Sequence, residues 1–123
     1  MTTTNKATSG DKMRPMITTH ILDTSRGRPA EGVSVSLYKV GIDEPIAVGQ
    51  TNADGRVAEW SDTIECIAGN YRLEFDVASY FSGLGESGFY SDVQIAFVVA
   101  DATEHYHVPL LLNPFGYSTY RGS

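Results

Sequence analysis

The stretch "MITTHILDTSRGRPAEGVSVSLYKV", residues 16–40, decides the fold class. Its first eight residues are rich in β-branched side chains, its centre "TSRGRPAEG" carries Gly and Pro, and "VSVSLYKV" alternates apolar with small polar residues at period two. Alternation at that period is the pattern of a half-buried strand, and the Gly/Pro-containing middle is a connection. The spacing predicts two strands here, joined as a hairpin-like pair.

The pattern continues outward from this stretch. "GIDEP" breaks it, "IAVGQT" is a short strand, and "NADG" (residues 52–55) is a turn, since Asn, Asp and Gly tolerate left-handed backbone. Arg56 is then expected to open a strand. "NYRLEFDV" alternates again, "ASYFSGLG" fits a couple of helical turns ending at Gly85, and "SDVQIAFVVA", "EHYHVPLLL" and "GYSTYRGS" read as three more strands. Seven or eight short strands with at most one short helix predict an all-β, antiparallel β-sandwich. The long crossover helices of a parallel βαβ architecture are missing.

A chain of 123 residues holds one domain with a modest core. Residues 1–15 are polar and read as a flexible N-terminal tail, which leaves 16–123 as the domain. The tail lacks the apolar segment of a secretory signal, and no apolar run approaches 18 residues, so a cytoplasmic protein without a membrane span is expected. The net charge of −6 argues against nucleic acid as a partner, which calls for a basic patch. Cys66 is the single cysteine, so neither an intrachain disulfide nor a thiolate zinc cluster is open to the chain.

Strand parity sorts the polar side chains. His105, His107, Pro109 and Leu111 share one face, and Tyr106, Val108, Leu110 and Leu112 form the natural core face. In the first strand Thr18, His20 and Leu22 oppose Ile17, Thr19 and Ile21; near the end Ser118, Tyr120 and Gly122 oppose Tyr117, Thr119 and Arg121. Three strands thus each offer polar groups outside the core. Parity alone leaves each group open to being a solvated strand residue. Two chemistries fit the set. Three histidines can supply nitrogen ligands to zinc with a fourth position left for water. A metal-free alternative uses a neutral imidazole to take a proton from water and a guanidinium to hold the oxyanion that develops. A Ser-His-Asp triad is disfavoured, because the chain has no Gly-x-Ser-x-Gly elbow.

Three segments carry a resemblance: "THILDTSRGRPAEGVSVSLY" (19–38), "TNADGR" (51–56) and "HYHVPLLLNPFGYSTYRGS" (105–123). Together they resemble the transthyretin-related proteins, specifically the 5-hydroxyisourate hydrolases, and the closing Tyr-Arg-Gly-Ser is the element that hormone-carrying transthyretins lack. The resemblance implies a transthyretin-like sandwich of two four-stranded sheets with one short helix, and a homotetramer with active sites where subunits meet. It implies hydrolysis of a small-molecule substrate, 5-hydroxyisourate, to 2-oxo-4-hydroxy-4-carboxy-5-ureidoimidazoline in urate degradation, without a cofactor or metal. Carried over residue by residue, it implies catalytic roles for His20, Arg56 and His107. Substrate binding then falls to His20, Arg56, Tyr120 and Ser123. His105 faces the same way without an assigned role. Asn113 stands where the family usually has serine, at a turn before Pro114. The competing reading is a transthyretin-like carrier of small ligands without catalysis; carriers have lysine and glutamate at the positions of His20 and Arg56.

Overall fold

The computed structural model describes residues 16–65 and 67–123. The expectations for the tail and for Cys66 lie outside these residues. Eight strands and one helix are present among them: β1 Ile17–Asp23, β2 Arg28–Pro29, β3 Ser34–Lys39, β4 Ala47–Gln50, β5 Gly69–Phe75, α1 Val77–Gly83, β6 Val93–Val99, β7 Tyr106–Asn113 and β8 Gly116–Thr119. They form two four-stranded sheets, ordered β2-β1-β7-β8 and β4-β3-β5-β6.

The period-two reading of residues 16–40 holds for each strand, but the two are not a hairpin. β1 and β3 lie in different sheets. The connection is where the chain changes layer. Gly27, at φ 68°, turns it back so that Arg28 and Pro29 pair with Asp23 and Leu22, and Gly32, at φ 85°, sends it across to the second sheet. A side chain at either φ is disfavoured, so both bends fall on glycine. The partner that β1 takes instead is β7, and this pairing is parallel, running from Ile17 opposite Tyr106 to Asp23 opposite Leu112. The other pairings are antiparallel, as expected. No short turn joins β1 to β7, so hairpin geometry does not set their direction.

One face of each strand fills the core. β1 alternates buried and half-buried along its whole length, with Ile17, Thr19, Ile21 and Asp23 inward. From β7, Tyr106, Val108, Leu110 and Leu112 point the same way. They meet Val35, Leu37, Tyr71, Leu73 and Phe75 from the other sheet in one apolar cluster. Each such side chain, fully withdrawn from water, contributes about 1.5–3 kcal/mol. The opposite face of β1 and β7 is thereby left to carry polar groups.

The helix forms where the pattern placed it. Asp76 caps it by accepting from Ser79 N, Val77 and Phe81 bury one side, and Gly85 at φ 74° ends it. Tyr80 donates its hydroxyl to the buried Asp23 Oδ2 at 2.7 Å, which pins the helix to the end of β1. Burial acts to raise the Asp23 carboxyl, but bonds from Ser25, Tyr80 and the Arg26 and Ser25 amides outweigh it and hold the group below its ordinary value. Burial and the neighbouring Asp23 push the Tyr80 hydroxyl well above its own.

Candidate active site

The outward face of β1 and β7 becomes a site because three further segments close on it. In the parallel register Thr18 stands opposite His107 and His20 opposite Pro109, so all four share the outer face. The β8 register continues past the strand: Leu110 pairs with Thr119, and an isolated antiparallel bridge joins His107 to Gly122. Tyr120 and Gly122 therefore lie on the histidine face. Arg121 turns the other way, pairing with Glu104 at 3.0 Å and standing over the Tyr106 ring at 4.4 Å.

The third segment is the turn at 52–56. Asn52 Oδ1 accepts from the Asp54 and Arg56 amides, and Gly55 N donates to Asn52 O. Gly55, at φ 76°, lets the turn lie against β1, where Ile21 N donates to Gly55 O at 2.8 Å and Arg56 forms a bridge with His20. Arg56 is thus a single bridging residue and not the start of a strand. Beyond Arg56 the backbone does not pair on with β1; Val57 buries into the core, and the Trp60 indole donates to Ile17 O of β1. The consequence is the same placement that a strand would have given: a guanidinium at the edge of the histidine face.

These segments enclose an open cavity of about 590 Å³, whose walls include Thr18, Asn52, Arg56, His105, His107, Tyr120, Gly122 and Ser123. Arg56, His107, Tyr120 and Ser123 come together there. His20 does not belong to that wall; it is half-buried on the same face, tied to Arg56 through the backbone bridge. Among the described residues, no three His, Cys, Asp or Glu side chains are grouped to hold a metal ion. Within one chain, His20, His105 and His107 are therefore not grouped as a three-nitrogen set. Asn113 Oδ1 accepts from Phe115 N at 2.9 Å, the local turn bond that its position suggested.

Two wall residues make contacts that parity and motif do not predict. Thr18 Oγ1 lies 2.9 Å from His105 Nε2 and 2.8 Å from His107 Nδ1, so one hydroxyl joins two nearly parallel imidazoles. Asn52 is the residue that shapes the turn under Arg56. Parity already puts Thr18 and not Thr19 on the outer face, and the parallel register with β7 then sets it opposite His107. Asn52 reads as turn chemistry alone.

The chain is a small all-β sandwich that brings imidazoles, a guanidinium and a tyrosine together on one sheet's outer face. The chain belongs to the HIUase/Transthyretin family, whose model matches residues 17–122. It is 45% identical over 115 residues to the 5-hydroxyisourate hydrolase of Deinococcus radiodurans, covering 89% of this chain and 97% of that one. The solved 5-hydroxyisourate hydrolase of Klebsiella pneumoniae is 42% identical, with a TM-score of 0.75 over 87% of this chain and 92% of that one. Sea bream transthyretin in complex with thyroxine is 31% identical, with a TM-score of 0.78 over 86% and 93%. The backbone matches a hydrolase and a thyroxine-bound transthyretin about equally well, so the fold alone does not choose between them.

Proposed function

We infer that this chain is a 5-hydroxyisourate hydrolase that acts in urate degradation. What carries the reading is the convergence of Arg56, His107 and Tyr120, from three separate segments, on one cavity. A carrier for an aromatic hormone has little use for that arrangement. A planar substrate rich in oxygen does, because fixed donors and a cation can grip it where apolar walls cannot.

In the proposed mechanism His107, assisted by His20, deprotonates a water that attacks a ring carbonyl carbon. The carbonyl oxygen takes the negative charge, and Arg56 holds it; as the oxyanion collapses back to a carbonyl the ring C–N bond breaks, and the His107 imidazolium returns its proton to the leaving nitrogen. A guanidinium suits this role because its planar fork donates two parallel hydrogen bonds. Tyr120 and Ser123 orient the substrate and cover the site. The cavity of one chain is open, and the functional unit is a homotetramer in which a second copy closes it, as the family resemblance implies. The reaction takes place in the cytoplasm and uses no metal or organic cofactor. Among the described residues no helix is long and apolar enough to cross a membrane.

The test is to generate 5-hydroxyisourate freshly with a urate-oxidising enzyme and follow its ultraviolet decay with and without this protein, after subtracting spontaneous decay. Acceleration is expected in wild type. His107→Ala and Arg56→Ala should each lower turnover by about 100-fold or more, the scale of losing a general base or an oxyanion donor. Decay unchanged by the wild-type protein, with the protein folded, would refute the reading.

A further inference from the structure

The hydroxyl of Thr18 is the point at which His105 and His107 meet, at 2.9 Å from Nε2 of the first and 2.8 Å from Nδ1 of the second. A threonine hydroxyl has one proton to donate. At least one of the two facing ring nitrogens must then carry a proton for both contacts to be hydrogen bonds. We propose that Thr18 is a positioning residue that fixes the His107 ring and selects its tautomer, with His105 as the second member of the pair. This rests on the reading of His107 as the base.

The direction of the hydroxyl decides what His107 can do. When His107 Nδ1–H donates to Thr18 Oγ1 and the Thr18 hydroxyl donates to His105 Nε2, the neutral His107 has its basic lone pair on Nε2. That nitrogen accepts the proton of water, leaving hydroxide to attack and an imidazolium whose Nδ1–H bond to Thr18 is now charge-assisted and stronger. No other proton has to move. In the reverse direction Nε2 is protonated and His107 is a donor and not a base. The assignment therefore requires the Nδ1–H tautomer at His107 in the resting protein. Thr18 is β-branched and held in β1, so its χ1 is restricted and the hydroxyl stays at one place between the rings. This gives His105 a part in the reaction, since its Nε2 accepts the hydroxyl proton and holds the bond in the productive direction.

The experiment compares Thr18→Val, which keeps the shape and removes the hydroxyl, with Thr18→Ser, which keeps the hydroxyl. Nitrogen-15 NMR of histidine-labelled full-length protein reports the His107 tautomer without substrate. Wild type and Thr18→Ser should show mainly Nδ1–H. Thr18→Val should lose that preference and lose about 10- to 100-fold in kcat, the range for one hydrogen bond to a charged group, while KM changes little. Thr18→Ser should restore most of the turnover. Thr18→Ala gives the same readouts should valine crowd the strand. A wild-type His107 that is mainly Nε2–H, or a Thr18→Ser variant as impaired as Thr18→Val, would overturn the proposal. Full turnover in His107→Ala would instead overturn the assignment of the base and leave the tautomer result standing.

Discussion

Gly122 lies against the imidazole of His107. The Gly122 amide donates to the His107 carbonyl at 2.8 Å, and a Cβ built on Gly122 would come within 2.6 Å of His107 Cδ2 and 3.1 Å of Pro109 Cγ. The glycine of the closing Tyr-Arg-Gly-Ser is therefore a matter of space: it lets that segment lie flat on the ring while Tyr120 and Ser123 reach the cavity.

A methyl group at this position has to displace either the segment or the ring. The ring is held on its other side by Thr18, so it cannot tilt without stretching that bond. Gly122→Ala should lower kcat/KM by about tenfold or more, since displacements of about 1 Å at a reacting group are costly. Its thermal stability should stay near wild type, because the segment is at the edge of the sheet. Turnover equal to wild type would show that the ring position tolerates more freedom than the contact allows.

Arg56 is expected to act through geometry as well as charge. Arg56→Lys keeps the cation and loses the bidentate fork, so it should fall to within about tenfold of Arg56→Ala in kcat/KM, both roughly two orders of magnitude below wild type. Steady-state decay of freshly generated substrate measures it. A lysine variant with near-normal turnover would mean that the site needs only a positive charge.

Much of this arrangement is legible in the sequence, and the reason is parity. The alternation in "MITTHILD" and "HYHVPLLL" separates core from outer face residue by residue, and the structure keeps that sorting except at Pro109, which lies on the outer face yet is buried. The Asn-Ala-Asp-Gly turn is equally local, because it depends on Asn52 and on a glycine at φ 76°. What period-two alternation does not contain is which strand lies beside which. A strand patterned for one buried face fits any neighbour with a buried face, so the hairpin expected between β1 and β3 and the actual parallel pairing of β1 with β7 look alike in sequence. Parity places Thr18 on the outer face but not beside a partner: its importance comes from standing opposite His107 in a register that no local signal encodes.

Gly55 should be among the least replaceable residues of the site. At φ 76° it occupies left-handed backbone, and a Cβ there would collide with the Ile21 carbonyl and approach Pro29 Cβ at 3.0 Å. Gly55→Ala should destabilise the fold by about 2 kcal/mol or more, combining strain with steric conflict. Because Arg56 is the next residue, kcat/KM should fall in the molecules that remain folded. Urea unfolding and the decay assay measure the two effects, and an unchanged midpoint would show that the turn can move away from β1.

Acid should weaken the junction between β1 and the helix through Asp23. Its carboxyl has a folded-state pKa below the ordinary 3.8 because Ser25, Tyr80 and the nearby amides donate to the ionised form, against the opposing effect of burial. A depressed pKa means that the unfolded chain binds its proton first as pH falls. The contribution of Asp23 is therefore complete above about pH 5 and is lost as pH drops below 3.8 and through the folded value. Asp23→Asn keeps an acceptor at Oδ1 but offers Tyr80 an amide in place of a charged oxygen, so it should cost about 1–3 kcal/mol at neutral pH. The difference from wild type should shrink between about pH 5 and pH 2, measured by urea unfolding across that range. A gap that stays constant with pH would mean that the Asp23 charge does not stabilise this junction, and that Tyr80 holds the helix to β1 by packing alone.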